Sequence, residues 1–96
     1  MIYMLQFDQH LGHKRSPHAS AEFYLGYCDE NNLEKRLKEH RNGNGAAITR
    51  AAVEKGIGFR VVMMIEKATR EDERTLKNRK NHRRVLRQWK QGTLRL

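Results

Sequence analysis

The 96-residue chain has a single cysteine, a single proline and a single tryptophan, and no apolar run of membrane-spanning length. One thiol, Cys28, excludes an intrachain disulfide and a multi-cysteine zinc centre, and points to a reducing compartment. No stretch approaches the roughly 20 apolar residues of a membrane helix, and the apolar run at residues 1–5 is too short for a signal peptide. With no repeat, low-complexity tract or linker, residues 1–96 are expected to form one cytoplasmic domain with a small core. A further absence is local. Residues 74–96 contain nine Lys and Arg and no acid, whereas the preceding 73 residues balance 11 cations against 11 anions. The net charge of +9 therefore belongs to the last quarter, expected as a basic helix over residues 74–91. Such a concentrated basic face attracts nucleic-acid phosphates, the plain alternative being a solvated face that keeps the protein soluble.

Against these absences, the elements follow from pattern. Residues 1–7 cluster β-favouring apolar types around Tyr3 and read as a strand. Residues 8–20 are polar, with Gly12, Pro17 and the histidines His10, His13 and His18, and read as a long connection. Three histidines on a connection lack the scaffold that a metal site needs, so no metal is assigned to them. Residues 21–27 form the second strand. Asp29, Asn31 and Asn32 offer N-caps for a helix running to residue 40 or 41 and stopped by Asn42 and Gly43. A second short helix is expected over residues 46–55. Residues 59–65 are apolar and β-branched, which suits the central, most buried strand. Thr69 to Asp72 reads as a capping box opening a helix with Glu73, Leu76 and Lys77, which Asn81 interrupts. Val85, Leu86 and Trp89 then cover one apolar edge, and the chain past Gly92 is expected to fray. The result is an α+β fold with helices flanking a three-stranded sheet.

The most informative stretch is residues 23–40, a strand feeding an amphipathic helix. Leu33 and Leu37 share a buried row, and Arg36 and His40 form the row beside it, so a cation and an imidazole sit at the rim of the buried face. Gly26 permits a bend or close approach that would let Tyr24 aim its hydroxyl at that rim. Such a rim suits a phosphate. Ile2-Tyr3, then Tyr24-Leu25-Gly26, then Arg36 and His40, Gly43-Asn44-Gly45 and a late Glu73 resemble, in order and spacing, the GIY-YIG nuclease superfamily, small stand-alone members in particular. The sequence departs from that pattern in having Met1 where the first motif has glycine, and a longer connection between the tyrosine strands.

The resemblance implies a small three-stranded antiparallel sheet flanked by helices and a metal-dependent endonuclease that hydrolyses DNA phosphodiester bonds. It implies Tyr3 as candidate base, Tyr24 across the same pocket, Arg36 on the scissile phosphate and His40 orienting or deprotonating a tyrosine. Glu73 would bind one Mg²⁺ or Mn²⁺. Cations at Arg36 and His40, with the metal, would lower the Tyr3 phenol from its ordinary pKa near 10. Glu66, Glu71 and Asp72 compete with Glu73, which is preferred because the segment after it matches small family members; Asn78 or Asn81 would supply the asparagine that often follows the acid. Arg74, Lys77, Arg79, Lys80, Arg83, Arg84 and Arg87 are expected to grip the DNA backbone, with DNA preferred to RNA. The protein would act as a monomer or weak homodimer. Each residue also has an ordinary structural use: strand aromatics for the tyrosines, a surface pair for Arg36, and an i,i+4 pair with Lys77 for Glu73. The rivals are a non-catalytic nucleic-acid-binding module on the same fold and a small basic RNA-contacting protein.

Overall fold

The computed structural model describes residues 1–11 and 21–96. The element order is β1 (Ile2–Leu11), β2 (Ala21–Tyr27), α1 (Leu33–Arg41), α2 (Ala47–Glu54), β3 (Phe59–Ile65), α3 (Arg70–Asn78) and α4 (His82–Gln91). The strands form one antiparallel sheet in the order β2-β1-β3. β1 therefore runs further than residue 7, taking in His10, while His13 and His18 of the expected connection lie outside the described residues.

The middle of the sheet is β1 and not β3, which corrects the expectation for residues 59–65. β1 carries no charge over residues 1–7 and is covered on both faces, so Ile2, Tyr3, Met4 and Leu5 are all fully buried. β3 is an edge strand on which Met64 remains 47% exposed. Its pairing shifts from Met4↔Met63 to Leu5↔Val61, leaving Val62 as the extra residue of a β-bulge. An apolar run looks the same in sequence whether it is flanked by strands on two sides or one.

The alternation of β1 sorts the core into two sides. Ile2 and Met4 pack with Leu25, Met63, Leu76, Val85 and Leu86, under α3 and α4. Tyr3 and Leu5 pack with Cys28, Leu33 and Leu37, under α1. Phe7 meets Ala52 and Ile48 of α2. The fold is α+β, with helices on both faces of the sheet.

Local chemistry sets the helix ends. Thr69 and Asp72 close the capping box: the Thr69 hydroxyl accepts the Asp72 amide at 3.1 Å, and the Asp72 carboxylate accepts the Thr69 amide at 2.9 Å. Residues 74–91 are not one helix. α3 stops at Asn78, Lys80 takes a left-handed φ of 54°, and Asn81 caps α4 by accepting the Arg84 amide at 3.1 Å. The tail does not simply fray, because Thr93 donates its amide to the Gln88 carbonyl at 2.9 Å and Leu94 packs on the core.

Candidate active site

Tyr3 sits opposite Gly26 in the β1–β2 register. A Cβ on Gly26 would lie 2.4 Å from Tyr3 Cζ and 2.5 Å from its hydroxyl oxygen, so the missing side chain is the space through which the Tyr3 ring crosses β2. Gly26 thus makes room for Tyr3, not for Tyr24 as the sequence suggested. A second glycine repeats the device, since a Cβ on Gly45 would lie 2.2 Å from His40 Nδ1. Glycine is required at both positions by close approach of a ring, not by backbone angle.

Between these two glycines the rings converge. The Tyr3 hydroxyl is 2.7 Å from His40 Nε2, and His40 Nδ1 is 2.7 Å from Thr49 Oγ1. Tyr24 stands beside both, its ring centroid 6.2 Å from Tyr3 and 5.3 Å from His40. Tyr3, His40 and Thr49 are each fully buried. Burial, and then the charge of Arg36, push the His40 imidazole down to about 4, so it is neutral at physiological pH. Burial and the neighbouring Tyr24 raise the Tyr3 phenol, with Arg36 opposing. With the chain's own groups, then, the phenol moves up where the sequence reading had it moving down. Desolvation outweighs the single nearby guanidinium, and His40 brings no charge.

In front of this buried set is a polar cleft of about 520 Å³, lined among others by Tyr24, Asn32, Lys35, Arg36, Arg70, Glu73 and Lys77. α1 supplies Arg36 and α3, from the opposite face of the sheet, supplies Glu73, so the cleft wraps the free edge of β2. Four of its charged groups, Arg36, Glu73, Lys77 and Arg70, rest on partners. Arg36 Nη1 donates to Glu39 Oε2 at 2.8 Å, which with burial opposing raises the guanidinium's affinity for its proton. Glu73 Oε2 lies 3.8 Å from Lys77 Nζ, and its side chain is only 14% exposed. Arg70 stacks over the Tyr27 ring at 4.9 Å.

The structure therefore brings Tyr24, Arg36, Glu73 and Lys77 into one cleft, with Tyr3 and His40 one layer behind. Glu66, Glu71 and Asp72 do not line it, and neither do Asn78 or Asn81, the latter being spent on its cap. The other basic residues disperse. Arg79 and Arg84 line a separate hollow of about 490 Å³ with Arg95, and Arg83 donates to the Glu22 carboxylate. Arg74, Lys80 and Arg87 are exposed. Sequence reasoning missed Lys35, Arg70 and Thr49. Arg70, Glu73 and Lys77 share one face of α3 at i, i+3 and i+7, a spacing that could have found Arg70.

The family model of the GIY-YIG catalytic domain matches residues 2–85 of the chain. The match spans every element of the sheet and the cleft. The protein belongs to the GIY-YIG family, a family of nucleases. Comparison with curated proteins and with solved structures returns no match.

As to a divalent metal, no group of three or more His, Cys, Asp or Glu side chains clusters among the described residues. Three carboxylates line the cleft, Asp29, Glu39 and Glu73: Asp29 is exposed, Glu39 is held by Arg36, and Glu73 is the shielded one, facing the same space as Arg36. That donor set fits a hydrated Mg²⁺, which keeps several waters and takes phosphate oxygens as further ligands.

Proposed function

We propose that this protein is a metal-dependent endonuclease that hydrolyses phosphodiester bonds in DNA. The reading is carried by the convergence of Tyr24 and Arg36 with Glu73, from opposite faces of the sheet, in front of the Tyr3–His40 pair. Arg36 binds the scissile phosphate, exchanging Glu39 for the substrate oxygens and stabilising the charge that grows on them. Glu73 holds Mg²⁺ or Mn²⁺, which would supply Lewis-acid stabilisation of the phosphate and the departing oxygen. Tyr3 takes the proton of the attacking water once Arg36 has moved onto the phosphate, and His40 takes the phenol's proton in turn. A phosphate that pairs with Arg36 cancels one of the two causes that hold the imidazole neutral.

Arg74, Lys77, Arg79, Lys80, Arg83, Arg84 and Arg87 hold the backbone, in two places: Lys77 in the cleft and Arg79 with Arg84 at the second hollow. The protein works in the cytoplasm as a monomer or weak homodimer.

The test is supercoiled plasmid incubated with protein and Mg²⁺ or Mn²⁺, beside an EDTA control and Glu73→Ala. Nicking that both controls abolish supports the assignment. If plasmid and branched DNA both stay intact while gel shifts show tight binding, the chain is instead a binding module on the nuclease fold.

A further inference from the structure

We infer that Thr49 is a positioning residue that fixes His40 as the tautomer protonated on Nδ1, leaving Nε2 bare to receive the proton of Tyr3. The inference rests on the site proposed above and assigns a role to a residue outside the cleft.

The argument is a count of protons. Thr49 Oγ1 lies 2.7 Å from His40 Nδ1 and 2.9 Å from the Ala46 carbonyl oxygen. A hydroxyl has one proton to give. The Ala46 carbonyl can only accept, so the 2.9 Å contact is a hydrogen bond only if Thr49 donates there. Were the hydroxyl proton turned to Nδ1, two oxygens would face each other at that distance with nothing between them. The Thr49 oxygen therefore accepts from His40, and Nδ1 carries the hydrogen. Nε2 is then an acceptor, and the Tyr3 hydroxyl donates to it at 2.7 Å.

The other end of the chain agrees. The Arg36 guanidinium that acts on the Tyr3 hydroxyl is a donor only, so it offers the phenol proton no acceptor and leaves that proton for His40. One contact pulls the other way, since the Ala46 amide lies 3.5 Å from Nδ1. At that length it is far weaker than the 2.7 Å bond it opposes.

Direction is thus built in: Tyr3 O–H to Nε2, Nδ1–H to Oγ1, Oγ1–H to the Ala46 carbonyl. When the attacking water gives its proton to Tyr3 as the phenol's proton passes to Nε2, the imidazolium keeps a hydrogen-bond acceptor on each side. No bond to Thr49 has to rearrange. Thr49 is fully buried on α2, nine residues from His40 in sequence, where the Gly45 turn closes the ring against it.

The experiment is ¹⁵N NMR of the His40 ring in wild-type protein, Thr49→Val and Thr49→Ser, with plasmid cleavage by the same samples. Nδ1–H in the wild type and Thr49→Ser, lost or mixed in Thr49→Val, supports the assignment. With it, turnover should fall about 10- to 100-fold in Thr49→Val, with KM unmoved, and recover in Thr49→Ser. A wild-type ring protonated on Nε2, or an unchanged tautomer in Thr49→Val, overturns the inference even if the protein cleaves DNA. Should wild-type protein cleave nothing, the nuclease reading fails and the tautomer measurement still decides this one. Thermal unfolding checks that Thr49→Val folds; if it does not, Thr49→Ala takes its place.

Discussion

The two halves of the candidate site are built on opposite principles. Behind Tyr24, the Tyr3–His40–Thr49 set is uncharged and held by bonds of 2.7 Å between groups with no exposed surface. In front of it, Arg36, Glu73, Lys77 and Arg70 are charged, and each leans on a partner at the cleft that a phosphate or a metal ion can replace. Burial fixes geometry at the cost of ionisation, which is how the imidazole comes to be neutral. Exposure keeps ionisation cheap and geometry loose, which suits groups that must exchange partners when a polyanion arrives. In the proposed mechanism, proton handling and charge handling are thereby separated by one aromatic ring.

The largest break in this comparison should come from the front. Arg36→Ala or Glu73→Ala should lower plasmid cleavage by about 100- to 1000-fold, the range for removing one preorganised transition-state contact. The urea unfolding midpoint should move little, since neither side chain belongs to the apolar core and each variant loses one ion pair, with Glu39 or with Lys77.

The back half should break through pH. His40 is neutral when folded down to about pH 4, whereas the unfolded imidazole gains its proton near 6.5. The folded pKa is the lower one, so the unfolded state binds more protons in that window. The stabilisation is complete above pH 6.5 and is lost as pH falls toward 4, by up to about 3 kcal/mol. Urea melts at pH 7, 5.5 and 4 on the wild type and on His40→Gln isolate it, because His82, whose pKa burial also lowers, titrates in both.

Gly26→Ala and Gly45→Ala sharpen the contrast by crowding only the buried half. Each should destabilise the fold by about 1–3 kcal/mol, as overpacking does, and displace Tyr3 or His40. DNA affinity measured by gel shift should survive in any variant that stays folded. The smallest effects belong to the far surface. Replacing Arg79 and Arg84 together should reduce the slope of log affinity against log salt by about 1 per lost phosphate contact. Arg83→Ala should change it less, because Arg83 already holds Glu22.

Much of this was legible in the residues. β2, β3 and the Thr69 capping box have the bounds their turn and cap chemistry dictates, because local sequence decides them. The i,i+4 pair Arg36 and His40 announced a helix face turned toward a strand tyrosine. The rest depended on tertiary neighbours. Whether β3 is central or at the edge turns on where β1 lies, and the Val62 bulge on a register that no local pattern encodes. That Gly26 clears Tyr3 rather than Tyr24 follows from cross-strand pairing. That His40 is neutral follows from how completely α1 and α2 enclose it, and Thr49 had no signal beyond a β-branched residue in a helix. The basic residues scattered because the segment breaks at Lys80, whose left-handed φ separates α3 from α4.

The place of β1 also has a kinetic side. It is the earliest strand in the chain and the middle one in the sheet, and Ile2 finds its second partner only at Ile65. A hairpin with β2 can form by local search, but the β1–β3 ladder must close a loop of most of the chain, the kind of step that slows folding. Glu73 lies beyond that closure, and Leu76 of its helix shares a core cluster with Met63 of β3, so the helix is fully packed only once the ladder has closed. In a refolding experiment, cleavage should therefore return with the slowest phase, after the hairpin and most helical signal have recovered.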